Sequence, residues 1–406
     1  MDTVFERCAG LDIGKKSVVV CLHTPEHRET RTFGMMTQDL LTLADWLAAH
    51  RVTHVAMEST GVYWKPLYNL LEGYDVELWL VNARDFKAVP GRKTDVKDAA
   101  WLVDLLRHGL LRRSFVPDRG HRELREVVRY RKSLIEERAR ETNRLEKVLE
   151  GANIKLGAVA STLTGKSVRA MLWAIVEGQQ DPEQLADLAR GCLRKKRVEL
   201  MAALKGLIGS HQRFMLGEQL GHLDELDGRI DRISEEIAER LRPFEDKLAA
   251  LSTIPGVGRR TAEVIVAEIG LDMSRFPTSA HLASWAKVCP GNNESAGKRK
   301  HGRIGQGNRS LRAALVEAAH SAGRTKQTYL QAQYHRLAAR RGKKRAAVAV
   351  AHSILVIVYH LLQEGGVYQD LGGTYFDEMK EAQVVGRMQR RLKALGYAVT
   401  LHKQAA

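Results

Sequence analysis

Cys8-Ala9-Gly10-Leu11-Asp12-Ile13-Gly14-Lys15-Lys16-Ser17-Val18-Val19-Val20-Cys21-Leu22 decides the reading of the first hundred residues. Two short apolar runs, Cys8 to Ile13 and Val18 to Leu22, flank the polar link Gly14-Lys15-Lys16-Ser17. Runs of this length bounded by glycine and charge read as strands, and so short a link joins them as a hairpin. Working outward, Arg31 to Met36 is expected to be a third strand. Leu40, Leu41, Ala44, Leu47 and Ala48 repeat at helical spacing. Val52 to Met57 and Val76 to Val81 are two further strands. Thr94 to Arg107 is a helix with Ala99, Leu102, Val103, Leu105 and Leu106 turned inward. Three early strands and then strand–helix alternation predict an α/β domain over residues 1–115, a mixed sheet with covering helices.

From about His121 the pattern turns helical. Leu124, Val127, Val128, Leu134, Ile135, Ala139, Thr142, Leu145 and Leu149 form one apolar stripe on a highly charged helix. Leu223, Leu226, Ile230, Ile233 and Ile237 repeat with alternating spacings of three and four, which is heptad spacing. Residues 116–250 are therefore expected to be a helical coiled-coil region, an antiparallel hairpin packed within one chain or between two. The segment 151–215 between the stripes carries no readable pattern. A second, mainly helical domain is expected over 251–345, and a C-terminal helix and polar tail over 346–406. The apolar stretch from Ala346 to Leu362 contains His352, Ser353, Tyr359 and His360. It falls short of the roughly 20 apolar residues of a membrane span, so it reads as a core helix.

The 406 residues suffice for two or three domains. Lys and Arg number 64 against 48 Asp and Glu, a formal net charge of +16. An excess of that size favours a polyanionic partner, nucleic acid before membrane. Met1 to Gly10 has no secretory pattern. The cysteines Cys8, Cys21, Cys192 and Cys289 are dispersed and form no CxxC pair. The expectation is a cytoplasmic protein with no membrane partner.

Four acids stand out. Asp12 closes the first strand, Glu58 closes the strand before it, and Asp95 and Asp98 open the helix to Arg107. Residues three apart share a helix face, so Asp95 and Asp98 point one way. In an RNase H-like sheet the first and fourth strands are neighbours, which would bring Asp12 and Glu58 to the start of that helix. Four carboxylates around one point need a cation, and an all-oxygen set suits Mg²⁺, with Mn²⁺ as a substitute. Singly, each acid has a plain reading: a capping pair for Asp95 and Asp98, a turn residue for Asp12, a surface acid for Glu58. Asp85, in a polar loop, and Asp104, two turns into the helix, are read as unrelated to the set.

Ile254-Pro255-Gly256-Val257-Gly258-Arg259 joins two helical segments in the pattern of a helix-hairpin-helix. Gly256 and Gly258 allow a tight hairpin whose N–H groups, with Arg259, suit a DNA phosphate, and a plain helix turn is the alternative. Further on, a glycine-rich loop runs from Pro290 to Arg312. Between Lys298 and Arg312 it carries Lys298, Arg299, Lys300, Arg303, Arg309 and Arg312 and no acid. This is a phosphate-contacting stretch with steep salt dependence. Ser295, beside Gly297 and those cations, is either an ordinary loop residue or a nucleophile that needs a base or a metal. Arg336 to Arg345 is a second basic cluster.

Taken in order, Gly10-Leu11-Asp12-Ile13-Gly14-Lys15, Met57-Glu58-Ser59-Thr60-Gly61, Lys93-Thr94-Asp95-Val96-Lys97-Asp98-Ala99, the Pro255-to-Gly258 hairpin and the Ser295-to-Arg312 segment resemble insertion-sequence transposases with an Asp-Glu-Asp-Asp motif, the bridge-RNA-guided serine recombinases. The resemblance implies a RuvC-like first domain with Asp12, Glu58, Asp95 and Asp98 as metal ligands and Ser295 as catalytic serine. It implies attack of the serine on a DNA phosphodiester, a phosphoserine link and a released 3′-hydroxyl that later reseals. It also implies double-stranded DNA and a structured non-coding guide RNA as partners, and a dimer that assembles to a tetramer on DNA. Gly14 and Ala296 depart from the family's usual residues, and 151–215 is longer than usual. A RuvC-like nuclease of the Holliday-junction resolvase type, with water as nucleophile, is the alternative; a non-enzymatic nucleic-acid scaffold is a second.

Overall fold

The computed structural model describes residues 3–59, 61–82, 95–290, 294–295, 298–299, 304–305, 307–379 and 381–400, and only the backbone of 95–97, 294–295, 298–299 and 384. The chain divides into two units, Met1–Arg119 and Gly120–Ala406.

In the first unit, β1 (Cys8–Ile13) and β2 (Ser17–His23) form the expected hairpin, closed by the Gly14 N–H donating to the Ser17 carbonyl at 2.9 Å. β3 (Arg28–Gly34) begins three residues earlier than the apolar pattern suggests. A tight turn, with the Thr24 N–H on the His27 carbonyl at 2.8 Å, returns the chain at once. α1 (Thr37–Ala49), β4 (His54–Glu58), α2 (Trp64–Leu71) and β5 (Glu77–Val81) follow, and α2 has no counterpart among the expected elements. The sheet order is β3-β2-β1-β4-β5, antiparallel across the first three strands and parallel from β1 to β4 to β5. This mixed five-stranded sheet fits an RNase H-like α/β domain. Side chains alternate between its faces. Leu11, Val20, Val55 and Met57 pack beneath α1 and α2. Cys8, Cys21, Ala56 and Val81 pack beneath α3 (Asp95–Arg107), against Ala99, Leu102, Val103 and Leu106.

The second unit is helical apart from one two-stranded ribbon among its described residues. α4 (Arg119–Gly151) and α5 (Ser210–Leu241) run antiparallel. Leu134 packs with Leu226 and Ile230, Arg138 pairs with Asp227 at 2.8 Å, and Leu145 and Leu149 join Leu216 and Leu220. The segment 152–209, unreadable in sequence, folds into short helices, among them Lys166–Val176 and Arg197–Leu204. Their Met171, Leu172 and Leu200 complete one apolar cluster with the ends of α4 and α5.

α6 (Glu245–Ser252), α7 (Arg259–Ile269), α8 (Ser279–Ala286), the ribbon β6 (Glu294–Ser295) and β7 (Lys298–Arg299), α9 (Arg309–Ala322), α10 (Tyr329–Arg341) and α11 (Lys343–Glu364) follow. α11 is long and apolar enough to cross a membrane by length and composition. Its composition has a nearer cause: Val350, Ile354, Leu355 and Val358 are buried, and the helix packs on α6, α8, α9 and α10. The polar tail is more structured than its composition suggests. Phe376 stacks on Tyr329 with ring centroids 5.0 Å apart, and Glu381–Ala394 forms α12.

Candidate active site

β1 and β4 pair in parallel with Gly10 opposite Ala56 and Leu11 opposite Met57. One residue further on each strand stand Asp12 and Glu58, at the same level of neighbouring strands. Period-two alternation puts both on the face of Cys8 and Ala56, the face that α3 covers. The direction of α3 follows from its contacts. The Arg107 carbonyl at its end accepts from the Val4 N–H at 2.8 Å, just before β1. α3 thus runs against β1, and its start lies toward the strand's carboxyl end. A Cβ added to Gly10 would lie 2.4 Å from the Ala99 carbonyl oxygen and 2.6 Å from the Val103 nitrogen. Only glycine lets the helix come this close, and Asp98 directly precedes Ala99.

Asp12, Glu58 and Asp98, all half-buried, are therefore brought to one edge of the sheet by three separate elements. The side chain of Asp95, first residue of α3, lies outside the described residues, as does all of Asp85. Among the described residues no three His, Cys, Asp or Glu side chains are gathered closely enough to hold a metal. The donors fit a hard divalent cation in kind, since all are carboxylates. Asp104 serves elsewhere, paired with Arg28 of β3 at 3.0 Å. Lys15 and Lys16, exposed on the turn after Asp12, add positive charge to the acidic edge.

In the second unit, 253–258 connects α6 to α7. Gly256 has φ +86, and a Cβ there would stand 2.2 Å from the Ala318 carbonyl oxygen of α9. Close packing on α9 thus accounts for this glycine. Gly258 is the N-cap of α7, and nothing lies within 4 Å of a Cβ built on it, so the first turn of α7 is open to a ligand on that side. Arg259 is held by carboxylates, its Nε donating to Glu263 at 2.9 Å and its guanidinium paired with Glu245.

Ser295 ends β6, opposite Lys298 of β7. The side chains of Ser295, Lys298 and Arg299, and all of Lys300 and Arg303, lie outside the described residues. The two feet of the loop that carries the ribbon are firmly placed. At the first, Lys287 adopts a left-handed conformation at φ +54 and ends α8. At the second, a Cβ on Gly307 would lie 2.6 Å from the Ala286 carbonyl oxygen, so the feet meet in van der Waals contact. Asn308 caps α9, its Oδ1 accepting from the Leu311 N–H at 3.1 Å while its Nδ2 donates to Glu268 at 2.6 Å. Arg312 donates to the Gly305 carbonyl at 3.0 Å, and Arg309 is exposed.

Glu268 is fully buried, yet it is richly paired. Arg129 of α4 donates to it through two nitrogens at 2.7 and 2.8 Å, and Arg125 lies at 3.2 Å. Burial pulls the Arg125 guanidinium down to about 10, which leaves it charged at neutral pH. Nearby, Arg131 and Glu263 form a buried pair at 2.6 Å. This network runs from α4 through α7 to the foot of the serine loop. Sequence reading misses it, although a signal exists. Glu263 and Glu268 interrupt an otherwise apolar helix, Ala262 to Ile269, and a carboxylate in such a place requires a partner.

A transposase model, that of the IS110 transposases with a DEDD motif, matches residues 9–154, and a model of the transposase IS116/IS110/IS902 family matches residues 248–335. The chain belongs to the IS110 family of DEDD transposases. The matches cover the acidic edge and, separately, the hairpin and serine loop. An uncharacterized 43.6 kDa protein of the insertion element IS110 from Streptomyces coelicolor is 29% identical over 313 residues, 69% of this chain and 73% of its own. A pilin gene-inverting protein of Moraxella lacunata is 22% identical over 367 residues, covering 87% of this chain and 95% of its own. The transposase of insertion sequence IS1111A from Coxiella burnetii is 27% identical over 248 residues, 52% of this chain and 66% of its own. The IS110 family is one of transposases acting on DNA, and its DEDD motif suggests dependence on a divalent metal.

Proposed function

We propose that this transposase cuts and rejoins double-stranded DNA through a phosphoserine intermediate at Ser295, with Asp12, Glu58, Asp95 and Asp98 holding a divalent cation, Mg²⁺ or Mn²⁺. The observation that carries the acidic half of this reading is the Gly10 contact. It sets α3 hard against β1, so that acids from three elements reach one sheet edge. The bound ion would stabilise negative charge on the phosphate in flight. The chain's own groups do the rest. The Ser295 hydroxyl gives up its proton as its Oγ bonds to phosphorus, the P–O3′ bond breaks, and the departing 3′ oxygen takes up a proton and leaves as a hydroxyl, so no net proton is gained or lost. Gly256, Gly258 and the cations Lys298, Arg299, Lys300, Arg303, Arg309 and Arg312 contact phosphates; Arg259 and Arg312 do so only while also bonded within the chain. Contacts of this kind position DNA without reading it. We assign the reading to a structured non-coding guide RNA, and the working form to a cytoplasmic dimer that assembles to a tetramer on DNA.

The test is a cleavage assay on the element's own terminal DNA with its flanking non-coding RNA and Mg²⁺, wild type beside Ser295→Ala. A protein–DNA adduct on a denaturing gel that vanishes in the variant is the expected result. Cleavage that is unchanged in Ser295→Ala, with no adduct, would make water the nucleophile and the chain a resolvase-like nuclease.

A further inference from the structure

A cleft of about 760 Å³ opens between the α10–α11 hairpin and the feet of the serine loop. Val288, Leu337, Val348 and Ala349 give it apolar walls, with Ile304 at one side. Its rim is cationic, formed by Arg341, Lys344 and Arg345, and no acid is among the described residues that line it. Its volume is within the range of ligand clefts, about 300–1,000 Å³.

Among the described residues the rim charges have no partner. Arg341, Lys344 and Arg345 are exposed, and none forms an ion pair or hydrogen bond with a described residue. Lys343, Lys344 and Arg345 occupy the first turn of α11, which contains no acid. Cations are unfavourable there, because the helix start already carries partial positive charge from its unbonded N–H groups. An anion at this place relieves the repulsion and uses the N–H groups as well. The interior asks for something else. It is apolar and carries three polar groups: the Gln333 amide, whose Nε2 donates to the Ser353 hydroxyl at 2.9 Å and whose Oε1 is buried with no partner among the described residues, that hydroxyl, and the half-buried His352, whose pKa burial lowers.

A flat apolar body with polar edges, attached to phosphates, answers both requirements. We propose that the cleft receives one unstacked nucleotide of the DNA strand, its base between Val288, Leu337 and Val348 and its phosphates on Arg341, Lys344 and Arg345. The inference rests on the proposed reading, in which DNA is the substrate and the Ser295 loop acts on it. DNA is favoured over RNA because Val288 and Ile304, on the cleft wall, flank the loop proposed to act on DNA. A nucleotide drawn out here strains the neighbouring stack, which suits an enzyme that must open a duplex.

The experiment measures binding of the full chain, in EDTA so that no strand is cut, to a perfect DNA duplex and to the same duplex with one bulged nucleotide. The bulge has already met the unstacking cost, so wild type is expected to bind it at least tenfold more tightly. Ala349→Trp, which fills the cleft, is expected to abolish that preference and keep the duplex affinity. The exposed triple variant Arg341→Gln, Lys344→Gln, Arg345→Gln, which leaves the core alone, should reduce both affinities and flatten the salt dependence by about 2–3 on a log–log slope. Duplex binding with no preference for the bulge, or a preference that survives both variants, overturns the proposal. So does a preference confined to a bulged RNA duplex of the same sequence. A wild-type chain that binds no DNA at all instead overturns the DNA reading itself.

Discussion

Replacing Gly10 by alanine tests the contact that orders the acidic edge. The new Cβ would stand 2.4 Å from the Ala99 oxygen, 2.6 Å from the Val103 nitrogen and 2.9 Å from the Leu102 Cβ. None of these atoms belongs to a side-chain end that can swing aside. Ordinary contact begins near 3.4 Å, so α3 must retreat by 3.4 − 2.4, about 1 Å, at Ala99. Overpacking of this kind costs about 1–3 kcal/mol. For a unit of this size that lowers the melting temperature by on the order of 5–15 °C. Asp98 moves with Ala99, and a displacement of about 1 Å in a reacting group costs roughly a hundredfold in rate. The assay is thermal unfolding with and without Mg²⁺, beside strand cleavage. Wild type should gain stability from saturating metal, about 2.7 kcal/mol at a hundred times Kd, and Gly10→Ala should lose most of that gain. Gly221→Ala is the control. Nothing lies within 4 Å of a Cβ there, so it should stabilise α5 by about 0.5–1 kcal/mol. A Gly10→Ala protein that melts within 1 °C of wild type would refute the packing argument. One that melts lower and cleaves at the wild-type rate would refute the link from α3 to chemistry.

Glu268→Gln keeps the shape of the buried side chain but leaves Arg125 and Arg129 uncompensated, so stability should fall by about 3 kcal/mol in urea titration; a change under about 0.5 kcal/mol would show the network to be inert. Asp12→Asn and Glu58→Gln should each lower cleavage by about a hundredfold or more while leaving the metal-free melting temperature in place. Cleavage within twofold of wild type would remove that acid from the site. Burial pushes the Cys8 thiol up to about 12, so at pH 8 only about one in ten thousand is thiolate. Iodoacetamide should modify the exposed Cys192 first and Cys8 only after unfolding, read by peptide mass spectrometry; early labelling of Cys8 would contradict its burial.

The sheet was legible because its strands differ in kind from its helices. The two short apolar runs between Cys8 and Leu22 and the helical run from Ala99 to Leu106 admit few alternatives, and strand ends place Asp12 and Glu58 without any knowledge of contacts. The same signals fail where contacts alone decide. Gly10 reads as one small residue in a strand until α3 is laid across it. The segment 152–209 hides one helix whose Val168, Met171, Leu172 and Ile175 repeat a face among four helices too short to do so, and its apolar residues are spent on the ends of α4 and α5. Charge is the most instructive case. A net +16 invites the inference that the basic residues face a polyanion. Yet Arg131 is buried against Glu263, Arg129 and Arg125 serve Glu268, and Arg259, the DNA contact most obvious in the hairpin, is held between Glu245 and Glu263. The count of cations therefore overstates the phosphate contacts. What separates the two uses is the presence of a carboxylate partner, which sequence spacing hides and packing reveals. By that criterion the cations of 341–345, which pair with no carboxylate among the described residues and stand at a helix start where positive charge is unfavourable, have a stronger claim on DNA than the arginine of the glycine hairpin.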